Sequence, residues 1–255
     1  MTTFTPNQVA IPNDLIVVVI YGHPRVAFIR PARDSTWTSI IDDNYDDIVY
    51  YKDQFYAITT QHTGILVSFD VTNSSKSNVI VTEEIFSHNE EGVEEQEDDD
   101  DDEEEEIFSY NEEEEDEGFL YRVYLVESIG GDLLKVKRWQ NYDNYRVTRS
   151  FTVFKLGLAD VPRWLKVDSL GDEALFLGDN SSIYVLASNF GGCQKNCIYF
   201  TDDKTESSLH NHGPWDLGIF NLETGVCERG LNIDGAIIAK MDGRIPIWIV
   251  PTLNI

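Results

Sequence analysis

The sequence predicts an all-β fold assembled from recurring four-strand units, and three observations carry that prediction. Apolar and aromatic runs of about four to eight residues, rich in Val, Ile, Tyr and Phe, recur along the chain. Turn sequences such as Gly130-Gly131-Asp132, Gly178-Asp179-Asn180-Ser181 and Glu223-Thr224-Gly225 separate them. No long stretch has the three-to-four-residue apolar spacing of an amphipathic helix.

Taken in order, strands are predicted at Leu15–Tyr21, Val26–Ile29, Ile48–Tyr51, Phe55–Ile58 and Ile65–Val71. Asn78–Thr82, Phe119–Val126, Leu133–Trp139, Phe151–Leu156 and Trp164–Val167 follow. The last are Ala174–Leu177, Ser182–Ala187, Cys197–Thr201, Leu217–Leu222, Val226–Arg229 and Ile247–Val250. Lys52-Asp53-Gln54 links two aromatic strands, and the connections read as meanders. Clusters around 45–70, 164–185 and 196–222 repeat one plan: apolar strand, turn, aromatic strand, then Asp or Gly. Units of about 40–50 residues with four strands each fit propeller blades, about four of them, and the same hairpins would also build a β-sandwich.

One segment is a different material. The formal net charge of the 255 residues is −27. Between Glu83 and Glu117 stand 22 acidic residues and no Lys or Arg; the rest of the chain carries 24 acids against 19 bases, an ordinary surface. The tract Glu97–Glu106 has no apolar residue, so it is expected to remain a disordered insertion. It holds a duplication: Glu83-Glu84-Ile85-Phe86-Ser87-His88-Asn89-Glu90-Glu91 returns 22 residues later as Glu105-Glu106-Ile107-Phe108-Ser109-Tyr110-Asn111-Glu112-Glu113. No Ca²⁺ loop spacing is present. The predicted organisation is an N-terminal tail 1–13, a first propeller segment 14–82, the acidic insertion 83–117, a second propeller segment 118–251 and a C-terminal tail 252–255.

The charge argues against nucleic acid and anionic membrane partners. No apolar run is long enough for a transmembrane helix, and Leu15–Tyr21 lacks the basic lead and cleavage site of a signal peptide. Cytoplasm or nucleus is the expected compartment. Three cysteines, Cys193, Cys197 and Cys227, do not make a disulfide framework. Asn73-Ser74-Ser75 and Asn180-Ser181-Ser182 read as polar turns rather than glycosylation acceptors.

Candidate chemistry is sparse. Cys193-x3-Cys197 with His210 and His212 has a superficial zinc-finger spacing, but the two histidines stand one residue apart where a helical finger needs three to five. Asp46-Asp47 and Asp202-Asp203 are carboxylate pairs; neighbours on a strand point to opposite faces, so neither pair is expected to meet. No nucleophile elbow, phosphate loop or metalloprotease motif occurs. No catalytic, cofactor or metal residue is therefore assigned, no cofactor is expected, and the five tryptophans read as packing residues, with any exposed one a candidate anchor.

Several motifs together resemble a family. They are Tyr45-Asp46-Asp47-Ile48-Val49-Tyr50-Tyr51-Lys52 with Phe55-Tyr56-Ala57, Leu125-Val126-Glu127-Ser128 with Gly131-Asp132-Leu133-Leu134, and Phe151-Thr152-Val153-Phe154-Lys155-Leu156. Ser169-Leu170-Gly171-Asp172 with Ala174–Gly178 and Asp216-Leu217-Gly218-Ile219-Phe220-Asn221-Leu222 continue the order, and Pro246-Ile247-Trp248-Ile249-Val250-Pro251 ends it. The most specific is Gly192-Cys193-x-x-Asn196-Cys197-Ile198-Tyr199-Phe200-Thr201-Asp202-Asp203. In this order, from about Asp14 to Pro251, the chain resembles the plant KIB-type β-propeller.

The resemblance implies a kelch-like β-propeller that binds a protein, in a family whose members usually carry an upstream F-box docking a Skp1-type adaptor of a ubiquitin ligase. No F-box pattern and no early blades are visible here, so an N-terminally shortened, incomplete propeller is expected, with the Skp1-type adaptor a partner only if an F-box lies upstream. The other readings are a degenerate, non-functional product and a ligand-binding or catalytic propeller.

Overall fold

In the computed structural model the described residues are 15–21, 25–41, 45–59, 65–69, 77–81, 84–85, 119–142, 146–158, 161–179, 182–201, 216–229 and 248–249. Their strands are β1 (Val17–Tyr21), β2 (Arg25–Ile29), β3 (Thr38–Ile41), β4 (Tyr45–Tyr51), β5 (Gln54–Thr59), β6 (Leu66–Phe69), β7 (Ser77–Val81) and β8 (Glu84–Ile85). There follow β9 (Phe119–Glu127), β10 (Leu133–Tyr142), β11 (Arg146–Leu158), β12 (Pro162–Val167), β13 (Glu173–Leu177), β14 (Ile183–Leu186), β15 (Cys197–Phe200), β16 (Gly218–Asn221) and β17 (Cys227–Arg229).

They form four sheets, ordered β1-β2-β3, β4-β5-β6-β7, β8-β12-β11-β10-β9 and β14-β13-β15-β16-β17. The sheets stack in chain order, and the core is the set of seams between them. Val26, Phe28, Tyr45, Ala57, Val67 and Phe69 fill the first seam. Tyr51, Ile58, Leu66, Val123, Leu125, Phe154 and Trp164 fill the second. Tyr124, Val126, Val136, Phe151, Leu175, Ile198, Phe200 and Phe220 fill the third. Period-two alternation sorts the side chains: Val123 and Leu125 of β9 face the second sheet, while Tyr124 and Val126 face the fourth. Both faces of the middle sheets are covered, which is why these strands read in the sequence as unbroken apolar runs.

Aromatic rings close the third seam. Phe151 sits 5.3 Å from Phe200 and 5.4 Å from Phe220, ring centre to ring centre and tilted, a geometry that adds about 0.5–1.5 kcal/mol per pair beyond burial. A glycine makes the approach possible: a Cβ on Gly218 would stand 2.7 Å from the Phe200 ring and 2.5 Å from the Glu228 carbonyl. The outer face of the fourth sheet is a further apolar layer, where Trp248 packs edge-on against Phe176 at 5.0 Å and donates its indole N–H to Leu177 O at 2.8 Å.

Three details differ from the sequence reading. The second sheet and β9–β12 are meanders as expected, but β13 lies parallel to β15, because the chain leaves the β13–β14 hairpin through a 3-10 turn at Ala187–Asn189 and returns on the other side of β13. The strand β3 is not among the predicted ones, its Thr-Ser-Ile-Ile being too short and polar to stand out. Finally, β8 lies within the segment 83–117, so the third sheet reaches at least two residues into it. Of the predicted strand Ile247–Val250 only Trp248 and Ile249 are among the described residues.

Candidate functional site

The inner strands β4 and β9 run in the same direction. Asp46 and Asp47 at the start of β4 reach the middle of β9, and Tyr51 at its end reaches Gly131 beyond the end of β9. One end of the stack therefore gathers the β4–β5 and β9–β10 turns. The β4–β5 turn has two residues, Lys52 at φ 46° and Asp53 at φ 62°, both left-handed as a tight hairpin requires and neither a glycine. Such residues are uncommon there and concentrate at functional sites.

The surrounding contacts fix this turn. Tyr51 Oη donates to Gly131 O at 2.9 Å, and Lys52 Nζ lies 4.8 Å above the Tyr51 ring. Tyr50 packs on Phe55 at 4.9 Å, ring centre to ring centre, and points its hydroxyl toward Asp53. In the neighbouring turn Ser128 accepts from Gly131 N and, through Oγ, from Asp132 N. Asp132 also pairs with Lys155 at 3.4 Å. Tyr184 on β14 is bonded to Glu173, and burial first, then that bond and the charges of Glu173 and Asp132, raise its phenol. Held on this rigid frame, Tyr50 and Ile129 are 55% and 59% exposed, two large apolar side chains presented by linked turns. Exposed anchors on fixed turns suit binding of a partner surface.

The carboxylates singled out from the sequence do different work. Asp46 Oδ2 accepts from Val123 N at 3.1 Å and Asp47 Oδ2 from Leu125 N at 2.8 Å, so both satisfy edge amides of the next blade. The expectation that they point apart is corrected by a bulge between Tyr45 and Asp47, which re-aims one side chain. Burial pushes the Asp47 carboxyl up to about 6, against the amides of Leu125 and Ile48 and the charge of Arg122. The folded state thus holds a proton that the unfolded chain releases near pH 4, so this group's contribution to stability falls as pH rises from about 4 to about 6. Asp47→Asn is expected to flatten that fall, seen as a smaller loss of urea stability between pH 5 and pH 7 than in the unaltered chain; equal losses would overturn the assignment.

A second buried polar group spans the third seam. Arg138 donates to Thr148 Oγ1 at 2.7 Å, Tyr124 Oη at 3.1 Å, Thr201 O at 2.8 Å and Asp216 Oδ2 at 3.1 Å. Asp216 Oδ2 also accepts from Thr148 N at 2.8 Å, Thr148 Oγ1 at 2.6 Å and Gln140 Nε2 at 3.3 Å. The guanidinium is wholly buried, its Cζ 4.9 Å from the centre of the Phe200 ring. This carboxylate is engaged by so many donors that it is a joint between blades.

The most specific motif is likewise structural. Asn196, at φ 56°, accepts from Leu170 N through Oδ1 at 2.7 Å, donates its own N–H to Glu173 O and accepts from Leu222 N through its carbonyl. It joins the β12–β13 connection to β13 and β16. Asn196→Ala is expected to cost about 2–4 kcal/mol in chemical denaturation, combining left-handed strain with an orphaned buried amide; a loss under about 1 kcal/mol would show the hub is dispensable.

Cys193 and Cys197 are free, with Asn221 Nδ2 3.6 Å from the Cys197 sulfur, and burial raises both thiols. A raised thiol is a poor thiolate ligand. His210, His212, Asp202 and Asp203 lie outside the described residues. Among the described residues no three His, Cys, Asp or Glu side chains group as a metal site, and no helix is long and apolar enough to cross a membrane. Of the tryptophans, Trp164 is fully buried and Trp37 is exposed.

Four face-packed sheets joined at their inner strands define a β-propeller domain. The comparisons agree: the model of the KIB1-4 β-propeller matches residues 5–221, and the chain belongs to that family. Its relatives include two proteins of Arabidopsis thaliana described as probable F-box proteins. One is 36% identical over 111 residues, 42% of this chain and 26% of the relative; the other is 38% identical over 131 residues, 51% and 32%. An Arabidopsis F-box protein is 31% identical over 135 residues, 52% of this chain and 31% of its own length. The chain thus spans about a quarter to a third of these relatives in the matched regions. No solved structure matches.

Proposed function

We propose that this chain is a non-enzymatic protein-binding propeller, equivalent to the substrate-recognition region of plant F-box receptors of the ubiquitin pathway. Membership of a β-propeller family found in plant F-box proteins carries this reading. The exposed Tyr50 and Ile129 on their linked turns supply a contact surface. A protein is the ligand, acting in the cytoplasm or nucleus; a Skp1-type adaptor enters only where an F-box accompanies the propeller, and neither nucleic acid nor membrane is bound.

The test is chemical crosslinking of the purified chain in plant extract, with mapping of the crosslinked sites. The reading expects a protein that joins through residues 50–55 or 128–132 and is lost in a Tyr50→Asp/Ile129→Asp variant whose thermal melt is unchanged. Capture that is indifferent to both substitutions would overturn this face, and turnover of a small substrate by the purified chain would overturn the non-enzymatic reading.

A further inference from the structure

The connection from β14 to β15 bends twice after its 3-10 turn. Phe190 to Cys193 is the first bend: Cys193 N donates to Phe190 O at 3.0 Å, and Gly192 takes the positive φ of 87°. Lys195-Asn196 is the second, with Asn196 left-handed at φ 56°. A turn holds its ends within about 7 Å; its ends here are Gln194 and Cys197, and Cys193 is the residue just before them. Cys193 and Cys197 thus come together on one face of the fourth sheet, in the apolar cluster of Ala174, Val185 and Tyr199. Gln194 lies against both sulfurs: its backbone O is 3.9 Å from Cys193 Sγ and its Oε1 is 3.9 Å from Cys197 Sγ.

Tyr199 ties the same groups together. Its hydroxyl accepts from Gln194 N at 2.8 Å and stands within hydrogen-bond reach of the Cys193 sulfur. Burial foremost raises the Cys197 thiol; the bond from Asn221 opposes that rise and the charge of Cys193 adds to it, so the two sulfurs lie within electrostatic reach of each other. They differ in access, Cys193 being partly exposed and Cys197 fully buried. One thiol meets a solution oxidant and the other stands behind it, the arrangement of an attacked and a resolving cysteine. Cys227 packs on the opposite face of the fourth sheet, in the third seam.

We propose that Cys193 and Cys197 form a modification site at which a peroxide closes a reversible disulfide around Asn196. Hydrogen peroxide oxidises the Cys193 thiol to the sulfenic acid and releases one water. The Cys197 sulfur then attacks the Cys193 sulfur: the S–S bond forms, the S–O bond breaks, and the hydroxyl leaves with the Cys197 proton as a second water. Two thiols are oxidised and one peroxide is reduced. The new ring encloses Gln194, Lys195 and Asn196, and Asn196 is the hub that holds the β12–β13 connection to β13 and β16. Oxidation therefore locks the left-handed turn on which that hub depends, together with the adjoining turn that presents the exposed Phe190. Buried thiols react slowly, and because their surroundings do little to stabilise the reduced pair as thiolates, the bridge persists once made.

The test treats the unaltered chain with hydrogen peroxide, alkylates the remaining thiols under denaturing conditions and maps the peptides by mass spectrometry. The expected product is lighter by two hydrogens, with Cys193 joined to Cys197 and Cys227 alkylated, and dithiothreitol returns all three cysteines to the alkylatable form. The bridged chain is expected to melt about 4 °C above the reduced one; a bridge that leaves the melt unmoved would overturn the locking of the hub. Cys197→Ser, which deprives Cys193 of its partner, is expected to let Cys193 proceed to the sulfinic acid, and Cys193→Ser to leave Cys197 reduced. A treated parent with Cys193 sulfinic and Cys197 alkylated, or with Cys227 in the bridge, would overturn the proposal. So would three alkylated thiols under conditions that oxidise Cys193 in the Cys197→Ser chain.

Discussion

Asp216→Ala is expected to lower the unfolding free energy by about 3–5 kcal/mol and the melting temperature by about 10 °C. The cause is what the substitution leaves behind. Arg138 is wholly buried between the third and fourth sheets, and Asp216 supplies the carboxylate to its guanidinium at 3.1 Å. Removing that carboxylate takes the Asp216 acceptor from a buried guanidinium in a seam lined by Phe151 and Phe200, and it also deprives the Thr148 amide and Gln140 of an acceptor. The paired change Arg138→Met/Asp216→Leu removes both charges and is expected to be far less damaging than Asp216→Ala alone, because buried ion pairs are weak contributors once neither half is left unmatched. Urea denaturation of both variants checks this. A loss below about 1 kcal/mol for Asp216→Ala, or a double variant no better than the single one, would show that the joint does not hold the two blades.

Trp164→Ala is the second large effect, also about 3–5 kcal/mol. Among the described residues Trp164 is the bulkiest fully buried side chain, and it fills the second seam with Phe154, Leu156 and Leu125. Lys135 Nζ lies 4.8 Å from its ring and is itself buried, so truncation opens a cavity beside a buried ammonium. The indole N–H has no hydrogen-bond partner among the described residues, so Trp164→Phe is expected to retain most of the stability. Trp37→Ala makes the control: half exposed at 50%, it should shift stability by no more than about 0.5 kcal/mol. Equal losses at the two positions would mean that the seam is not packed as described.

Much of the fold was legible because period-two apolar runs and turn residues mark strands wherever they occur. The hairpin at Lys52-Asp53 and the Gly131 turn fall where the sequence placed them, with the left-handed backbone those turns require. The family motifs were legible as words, but not as contacts. Asn196 stood out by pattern, and nothing local said that its side chain would hold Leu170 N. Asp216 belonged to a recognised motif, and its partner Arg138 lies 78 residues earlier in the chain. The exposed pair Tyr50 and Ile129 was hidden for a similar reason, since exposure depends on which sheet stands next to each turn.

The sequence by itself determined the all-β character, most of the strands and the family, all of which rest on local alternation, turn chemistry and ordered motifs; its clusters 164–185 and 196–222 do not correspond to separate sheets, since β12 belongs to the third and β13 to β17 together make the fourth. Tertiary structure alone decided the parallel return of β15 onto β13, the bulge that turns both Asp46 and Asp47 toward β9, and the seating of Glu84 and Ile85 on β12. Alternation says which side chains leave water; which sheet receives them is settled by packing between segments tens of residues apart, and no local pattern encodes that choice.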